Sequence, residues 1–285
     1  MDLKALVALT KPRILVTALG AVAVGAYIAP QAPGPGVLLG CLLGMGLVVG
    51  GANALNMYLE RDIDARMERT RGRPLPARLL LPRTALYFGM GLAAAGIPVM
   101  TFGVNVLSGL LAALSLISYV LVYTPLKQKT SFALLVGSIP GAMPPLIGWT
   151  AATGRLELPG IVLFSIMFVW QVPHFLAISL FRSDEYARAG LVLMPHETGE
   201  RKTRLQIVLW SAVLVPVSLL PFMLGVAGAL YLLTAVGLGT AFFVWGLKGL
   251  KETQPPAWPR QLFALSLVYL VGIFAALVAD SGGRL

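Results

Sequence analysis

The chain has 285 residues, of which 57% are hydrophobic and only 12% are charged. Soluble domains carry about 25% charged residues, so this composition excludes an ordinary soluble enzyme and is typical of a polytopic helical membrane protein. The net charge of +10 would suit a nucleic-acid partner. The placement of the cations in loops accounts for it, however, and we expect no binding to nucleic acid.

Nine apolar runs of membrane-spanning length follow one another along the chain. No soluble-length segment separates them, so we expect an all-α membrane bundle and a single domain over residues 1–285. Two long apolar stretches are divided at Gly103 and at Gly225. The predicted spans are residues 14–29, 37–57, 84–102, 104–123, 132–152, 158–181, 205–224, 226–246 and 261–279.

The distribution of Lys and Arg predicts the orientation. When the connections alternate between the two sides of the membrane, every Lys and Arg except Arg155 and Arg284 falls on the side of the N-terminus. Cytoplasmic loops carry such an excess. We therefore expect the inner (cytoplasmic) cell membrane, a cytoplasmic N-terminus and a C-terminus outside. Function should lie at the cytoplasmic face, where residues 60–83 and 182–204 form long connections.

The most polar stretch, residues 56–76, reads NMYLERDIDARMERTRGRPLP and follows an apolar, glycine-rich run. Asn56, Glu60 and Asp64 are four residues apart, which places them on one face of a helix, roughly opposite Asp62. Mg²⁺ typically takes one or two carboxylates and fills its remaining sites with water and substrate phosphate. This stripe therefore predicts a magnesium site and a catalytic role for the three side chains.

Arginines follow the stripe, and their forked donors suit a diphosphate held through metal. Lys127 leaves the fourth span on the same side and is either a further catalytic, diphosphate-binding cation or a positive-inside anchor. A plainer interpretation is a solvated helix end with internal pairs Asp62–Arg66 and Glu68–Arg71. The excess of charge over what a membrane exit requires favours the diphosphate site. Its candidate residues are Arg66, Arg69, Arg73 and Lys127.

These motifs resemble those of the UbiA superfamily of intramembrane prenyltransferases. The pattern N-x-x-x-[DE]-x-x-x-D followed by R-T-x-x-R-P-L, at residues 56–75, matches the superfamily, and W-Q-x-P-H-F at residues 170–175 resembles its heme-prenylating branch. Glu60 stands where Asp is usual, and residues 131–137 lack an expected Asn. Further similar segments are residues 9–14 (LTKPRI), 123–127 (YTPLK), 141–149 (GAMPPLIGW), 184–186 (DEY), 189–190 (AG) and 193–195 (LMP).

The resemblance implies a UbiA-type bundle that transfers a farnesyl group from farnesyl diphosphate to the carbon-2 vinyl group of heme B, with addition of water. The products would be heme O and diphosphate. It implies Mg²⁺ as the cofactor, heme B as a substrate, surrounding membrane lipid, and a downstream heme A synthase as a partner. Prenylation of an aromatic quinone precursor is the alternative. Other branches of the superfamily carry a second aspartate-rich motif in the later loop, however, and here its acids are reduced to Asp184 and Glu185. A transporter for an organic anion is an alternative from another functional class, but a carrier of anions would not need a stripe of carboxylates at its cationic entrance.

The chain has only two histidines, His174 and His196. His174 lies in a predicted span, where an ionisable residue indicates function. A heme-binding site would provide a nitrogen as axial ligand of the iron and aromatic side chains that line the pocket. We therefore expect His174, with Trp170 and Gln171, to bind heme, His174 acting as axial ligand or as donor to a propionate. His196 is the next candidate, and a satisfied structural histidine is the plainer interpretation of each.

Overall fold

The computed structural model describes residues 2–251 and 255–281. All regular secondary structure in these ranges is helical and none is β-strand, which confirms the expected all-α fold. The helices are α1 (Leu3–Leu9), α2 (Pro12–Tyr27), α3 (Pro35–Asp64), α4 (Pro82–Gly103), α5 (Val106–Ile117), α6 (Thr124–Leu126), α7 (Ala133–Thr153), α8 (Leu158–Phe181), α9 (Ser183–Arg188), α10 (Met194–Thr198), α11 (Glu200–Met223), α12 (Ala229–Lys248) and α13 (Trp258–Ser281). A π-helical turn, Ser118–Tyr123, joins α5 to α6.

The helices agree with the predicted spans. Within the described ranges, eight helices are long and apolar enough to cross a membrane when α5 and α6 are taken together. A ninth results if α1 and α2, bent by 50°, form one span. The predicted divisions fall at real breaks, after α4 at Gly103 and between α11 and α12, where Gly225 has a φ of +69° that side chains disfavour. The chain is thus a polytopic membrane protein.

Helix α3 places the polar motif. The predicted second span ended at residue 57, but α3 runs on without a break to Asp64. It packs closely on α4, since a Cβ added at Gly51 would lie only 2.8 Å from the carbonyl oxygen of Gly89. Small residues permit such close approach of helices in membranes. The stripe of Asn56, Glu60 and Asp64 is therefore carried on a well-packed helix, while the arginine-rich remainder of the motif lies in the turns that follow α3.

Helices α7 and α8 are the most buried spans, with 61% and 67% of their apolar windows inside the protein. Helix α8 packs against α7, α11 and α13. Glu60, near the end of α3, contacts Lys127 after α6, and Arg69, in the segment after α3, contacts Glu185 on α9. The long connections that the sequence placed on one side of the membrane therefore meet at one end of the bundle.

Candidate active site

The predicted stripe is present on α3. Asn56, Glu60 and Asp64 lie on one face of the helix and are only 1%, 8% and 1% exposed, whereas the side chain of Asp62 is 77% exposed. Helical spacing explains the difference, since residues four apart share a face. Buried carboxylates require partners, because an unpaired buried charge is costly.

Three cations supply those partners. Lys127 Nζ donates to Glu60 Oε1 at 2.5 Å, and Arg73 Nη1 donates to both oxygens of Asp64 at 2.8 and 2.7 Å. Lys11 Nζ donates to Asn56 Oδ1 at 2.7 Å. Three basic side chains thus meet two carboxylates and an amide. We call these six residues the α3 cluster.

The α3 cluster is completed by the π-helical turn before α6. Asn56 Nδ2 donates to Thr124 Oγ1 at 3.1 Å, and that hydroxyl donates to the carbonyl oxygen of Tyr119 at 2.8 Å. Lys127 Nζ lies 4.4 Å from the centre of the Tyr123 ring. Irregular helical turns of this type often occur at functional sites. The turn fixes Thr124 and Lys127 beside the stripe.

Sequence reasoning did not assign Lys11, Thr124 or Tyr119 to this site. Lys11 and Thr124 belong to the segments LTKPRI and YTPLK, which were matched to the superfamily but given no contacts. Each is far from Asn56 in sequence, so the helical spacing that revealed the stripe could not find them.

Burial and neighbouring charge shift the pKa values of two of these lysines. Burial lowers the pKa of the Lys11 ammonium to about 7, and the repulsion of Arg73 and Lys127 acts in the same direction. Burial also disfavours the charged form of Lys127, but Tyr123 and Glu60 outweigh it and raise the pKa of Lys127. Lys127 therefore stays positively charged beside Glu60 at neutral pH.

The remaining predicted cations lie away from the stripe. Within the described residues, Arg66 and Arg69 make no hydrogen bond or ion pair with the α3 cluster. Arg69 instead donates its backbone N–H to Glu185 Oε1 and its guanidinium to the Tyr186 hydroxyl, both at 3.3 Å. Glu185, from the reduced second acidic motif, therefore holds the segment that follows α3 in place through this hydrogen bond.

The plainer interpretation of the charge run holds for its exposed part. Glu68 and Arg71 form the expected pair at 3.8 Å, with both side chains largely exposed. Asp62 pairs with its neighbour Arg61 at 3.7 Å rather than with Arg66. Surface pairs of this kind contribute little to stability.

The donor set of the α3 cluster fits Mg²⁺. Two carboxylates and an amide are hard oxygen donors, and Mg²⁺ completes its octahedral shell with water and substrate phosphate. Within the described ranges, no three His, Cys, Asp or Glu side chains come together to form a full metal cage. The arrangement suits a metal that arrives with a diphosphate better than a structural metal.

His174 lies on α8, faces α13 and is 8% exposed. Its Nδ1 is 2.6 Å from Ser266 Oγ, and that hydroxyl donates its only hydrogen to the carbonyl oxygen of Phe263 at 2.6 Å. This geometry suits an imidazole that donates its Nδ1–H to the Ser266 hydroxyl and leaves the Nε2 lone pair free. The imidazole ring also stacks on Trp170 at 4.6 Å and lies 4.8 Å from the Phe263 ring.

The structure brings Trp170 and His174 together but turns Gln171 to another face of α8. Gln171 Nε2 donates to the carbonyl oxygens of Ser138 and Met167 at 3.2 and 3.0 Å. His196 lies outside this group, with Nε2 2.6 Å from Ser183 Oγ. The three residues expected at heme are all buried but do not form one surface.

The sequence profile of the UbiA prenyltransferase family matches residues 14–268. A protoheme IX farnesyltransferase from Sorangium cellulosum (strain So ce56) is 58% identical over 244 residues, which cover 86% of this chain and 87% of that protein.

Solved structures share the fold. A digeranylgeranylglyceryl phosphate synthase superposes with a TM-score of 0.85 at 18% identity, and the match covers 98% of each chain. A UbiA homolog from Archaeoglobus fulgidus, bound to GPP and Mg²⁺, gives a TM-score of 0.66 at 15% identity over 96% of this chain and 99% of that one. The chain belongs to the UbiA prenyltransferase family, within which it groups with the protoheme IX farnesyltransferases.

Proposed function

We propose that this chain transfers the farnesyl group of farnesyl diphosphate to a vinyl group of heme B, with addition of water, to form heme O and diphosphate. The observation that carries the proposal is the α3 cluster, a buried set of carboxylate, amide and cationic groups at one end of an apolar bundle. The relative named protoheme IX farnesyltransferase supports heme as the acceptor.

In the α3 cluster, Asn56, Glu60 and Asp64 would hold Mg²⁺, and Lys127 and Arg73 would bind the diphosphate. The solved relative that binds GPP and Mg²⁺ supports this assignment. When bound, the metal supplies positive charge for the departing diphosphate. Lys127 and Arg73 lie directly beside the carboxylates that would hold the metal, so they can stabilise the charge that develops on the leaving oxygen.

The reaction breaks the bond between the first farnesyl carbon and the diphosphate oxygen, and diphosphate leaves with the electron pair. The farnesyl carbon bonds to the terminal vinyl carbon of heme. The adjacent vinyl carbon becomes electron-deficient and takes the oxygen of a water molecule, which releases one proton. An apolar bundle would shield the allylic cation from earlier attack by water.

His174 is our candidate for the heme iron. Histidines that bind a metal commonly donate the other ring N–H to an oxygen, which fixes the tautomer. The bond from Nδ1 to Ser266 Oγ supplies this arrangement, so we propose axial ligation through Nε2 rather than donation to a propionate. Trp170, stacked on the imidazole, would fix the orientation of the ring.

We further propose that residues 1–285 form one domain in the cytoplasmic membrane, with the α3 cluster on the cytoplasmic side. The placement of all but two cations on one side supports this orientation.

The acceptor is tested by reconstituting the purified protein in lipid with farnesyl diphosphate and Mg²⁺, and offering heme B or 4-hydroxybenzoate in parallel. We expect prenylated heme and no prenylated benzoate, measured by chromatography and mass spectrometry. Prenylation of the benzoate alone would instead support the quinone-precursor reaction. Uptake of either compound into vesicles without prenylation would support a transporter.

A further inference from the structure

A cavity of about 870 Å³ lies between the segment that follows α3 and the helices α9 and α10. Leu180 and Phe181, at the end of α8, form its apolar part. Four arginines line it: Arg66, Arg71, Arg182 and Arg188. None of the four belongs to the α3 cluster.

Two of these arginines are already compensated by acids. Arg71 pairs with Glu68 at 3.8 Å, and Arg182 pairs with Glu185 at 3.0 Å.

Arg66 and Arg188 form no ion pair within the described part of the chain. Arg66 reaches across to the opposite segment, since a Cβ added at Gly190 would lie 3.9 Å from its Nη1, and Gly190 is two residues after Arg188. Among the acids that line the cavity, Asp184 is the one without an ion pair among the described residues. The unpaired groups therefore leave one net positive charge.

An aromatic contact connects this cavity with His174. His174 and Phe181 are seven residues apart, so they share a face of α8 at a separation of about 10 Å along the helix axis. The Phe263 ring touches both, at 4.8 Å from the imidazole and 5.9 Å from the Phe181 ring. The buried histidine and the arginine-lined cavity thus lie on one path along α8.

We propose that Arg66 and Arg188 bind the two propionate carboxylates of heme, so that the macrocycle extends from this cavity towards His174. The inference rests on the proposed function, because it names a subsite for that substrate. The guanidinium group matches a carboxylate with two parallel hydrogen bonds. The prenyl diphosphate has its own cations in the α3 cluster, so the two anionic substrates would be held by separate sets of arginine and lysine.

The test compares heme B with its dimethyl ester, in which both propionates are neutral. Absorbance titrations with each compound compare the purified wild type with Arg66→Gln and Arg188→Gln. The control is Arg83→Gln, because Arg83 is an exposed cation on the same side of the membrane but outside the cavity. We expect each cavity variant to bind heme B more weakly, by about tenfold or more, because glutamine removes the charge and at least one of the two hydrogen bonds to the carboxylate. Binding of the ester and of farnesyl diphosphate should not change, and Arg83→Gln should match the wild type.

Unchanged ester binding also shows that the variants are folded. Equal weakening of heme B and its ester would overturn the propionate assignment, and so would a loss of farnesyl diphosphate affinity with heme affinity intact. If the wild type forms heme O but both cavity variants bind heme B as tightly as the wild type does, the subsite alone fails. If the wild type forms no heme O, the proposed function fails and the subsite fails with it.

Discussion

At the scale of single residues, the α3 cluster combines burial with charge. Asp64 is 1% exposed and receives two hydrogen bonds from Arg73, while Asp62, two residues earlier, points to solvent. The two aspartates differ in surroundings rather than in chemistry. They therefore offer a matched pair for testing whether position on the helix face decides function.

We predict that Asp64→Asn lowers the rate of heme O formation by about 100-fold or more. The isosteric amide removes a negatively charged ligand of the Mg²⁺ that would stabilise the departing diphosphate. Asp62→Asn should keep nearly the full rate. Rates are measured at saturating Mg²⁺ with protein that elutes as a single folded species. A near-normal rate for Asp64→Asn would remove this carboxylate from the metal site.

We predict that His174→Ala weakens the binding of heme B and changes its absorption spectrum, because an axial nitrogen is lost. Farnesyl diphosphate affinity should stay close to that of the wild type. A histidine with only a packing role would instead lower the affinity for both substrates through a disturbed α8. If a folded His174→Ala protein keeps both the heme affinity and the spectrum, the axial assignment is wrong.

Helical spacing found the stripe because Asn56, Glu60 and Asp64 lie on one element. It could not find Lys11 or Thr124, because Lys11 is 45 residues and Thr124 is 68 residues away from Asn56 in the sequence. Such contacts depend on how helices pack, and a single sequence does not contain that information directly. The roles given to individual residues at heme and at diphosphate stay predictions.

At the scale of helices, the sequence predicted the spans well because long apolar runs are a strong signal. It placed the end of the second span at residue 57, although α3 continues to Asp64. Loss of apolarity marks the edge of the membrane layer, not the end of the helix. The close contacts between helices depend on particular glycines, which hydropathy does not distinguish.

Gly20 and Gly25 on α2 show this difference. A Cβ at Gly25 would lie 2.0 Å from the carbonyl oxygen of Pro145 on α7, whereas nothing lies within 4 Å of a Cβ at Gly20. We predict that Gly25→Ala lowers the free energy of unfolding by about 1–3 kcal/mol, the usual cost of overpacking.

The control Gly20→Ala should be neutral or stabilising by up to about 1 kcal/mol, because alanine favours the helix. Thermal unfolding in detergent measures both variants. Equal midpoints for the two would mean that α2 and α7 are not in backbone contact.

At the scale of the whole molecule, the charge distribution predicts which end of the bundle faces the cytoplasm. Cys41 is the only cysteine and is fully buried, so the wild type provides a blank for cysteine labelling. Gly72 and Arg155 are exposed at opposite ends of the predicted topology. The predicted outside position of the C-terminus at Leu285 lies outside the described residues.

We predict that a membrane-impermeant maleimide labels Arg155→Cys in intact cells and labels Gly72→Cys only after permeabilisation. The reason is the positive-inside distribution of the loops. Labelling of Gly72→Cys in intact cells would place the α3 cluster on the outer side and reverse the orientation.

The most direct test of the central claim is the product itself. Wild-type protein is reconstituted with heme B, farnesyl diphosphate and Mg²⁺ in water labelled with heavy oxygen, and the heme fraction is analysed by mass spectrometry. We expect a heme that has gained one farnesyl group and one labelled hydroxyl group, with diphosphate released in equal amount. Recovery of unchanged heme B, or of a farnesylated heme without the labelled oxygen, would contradict the proposed reaction.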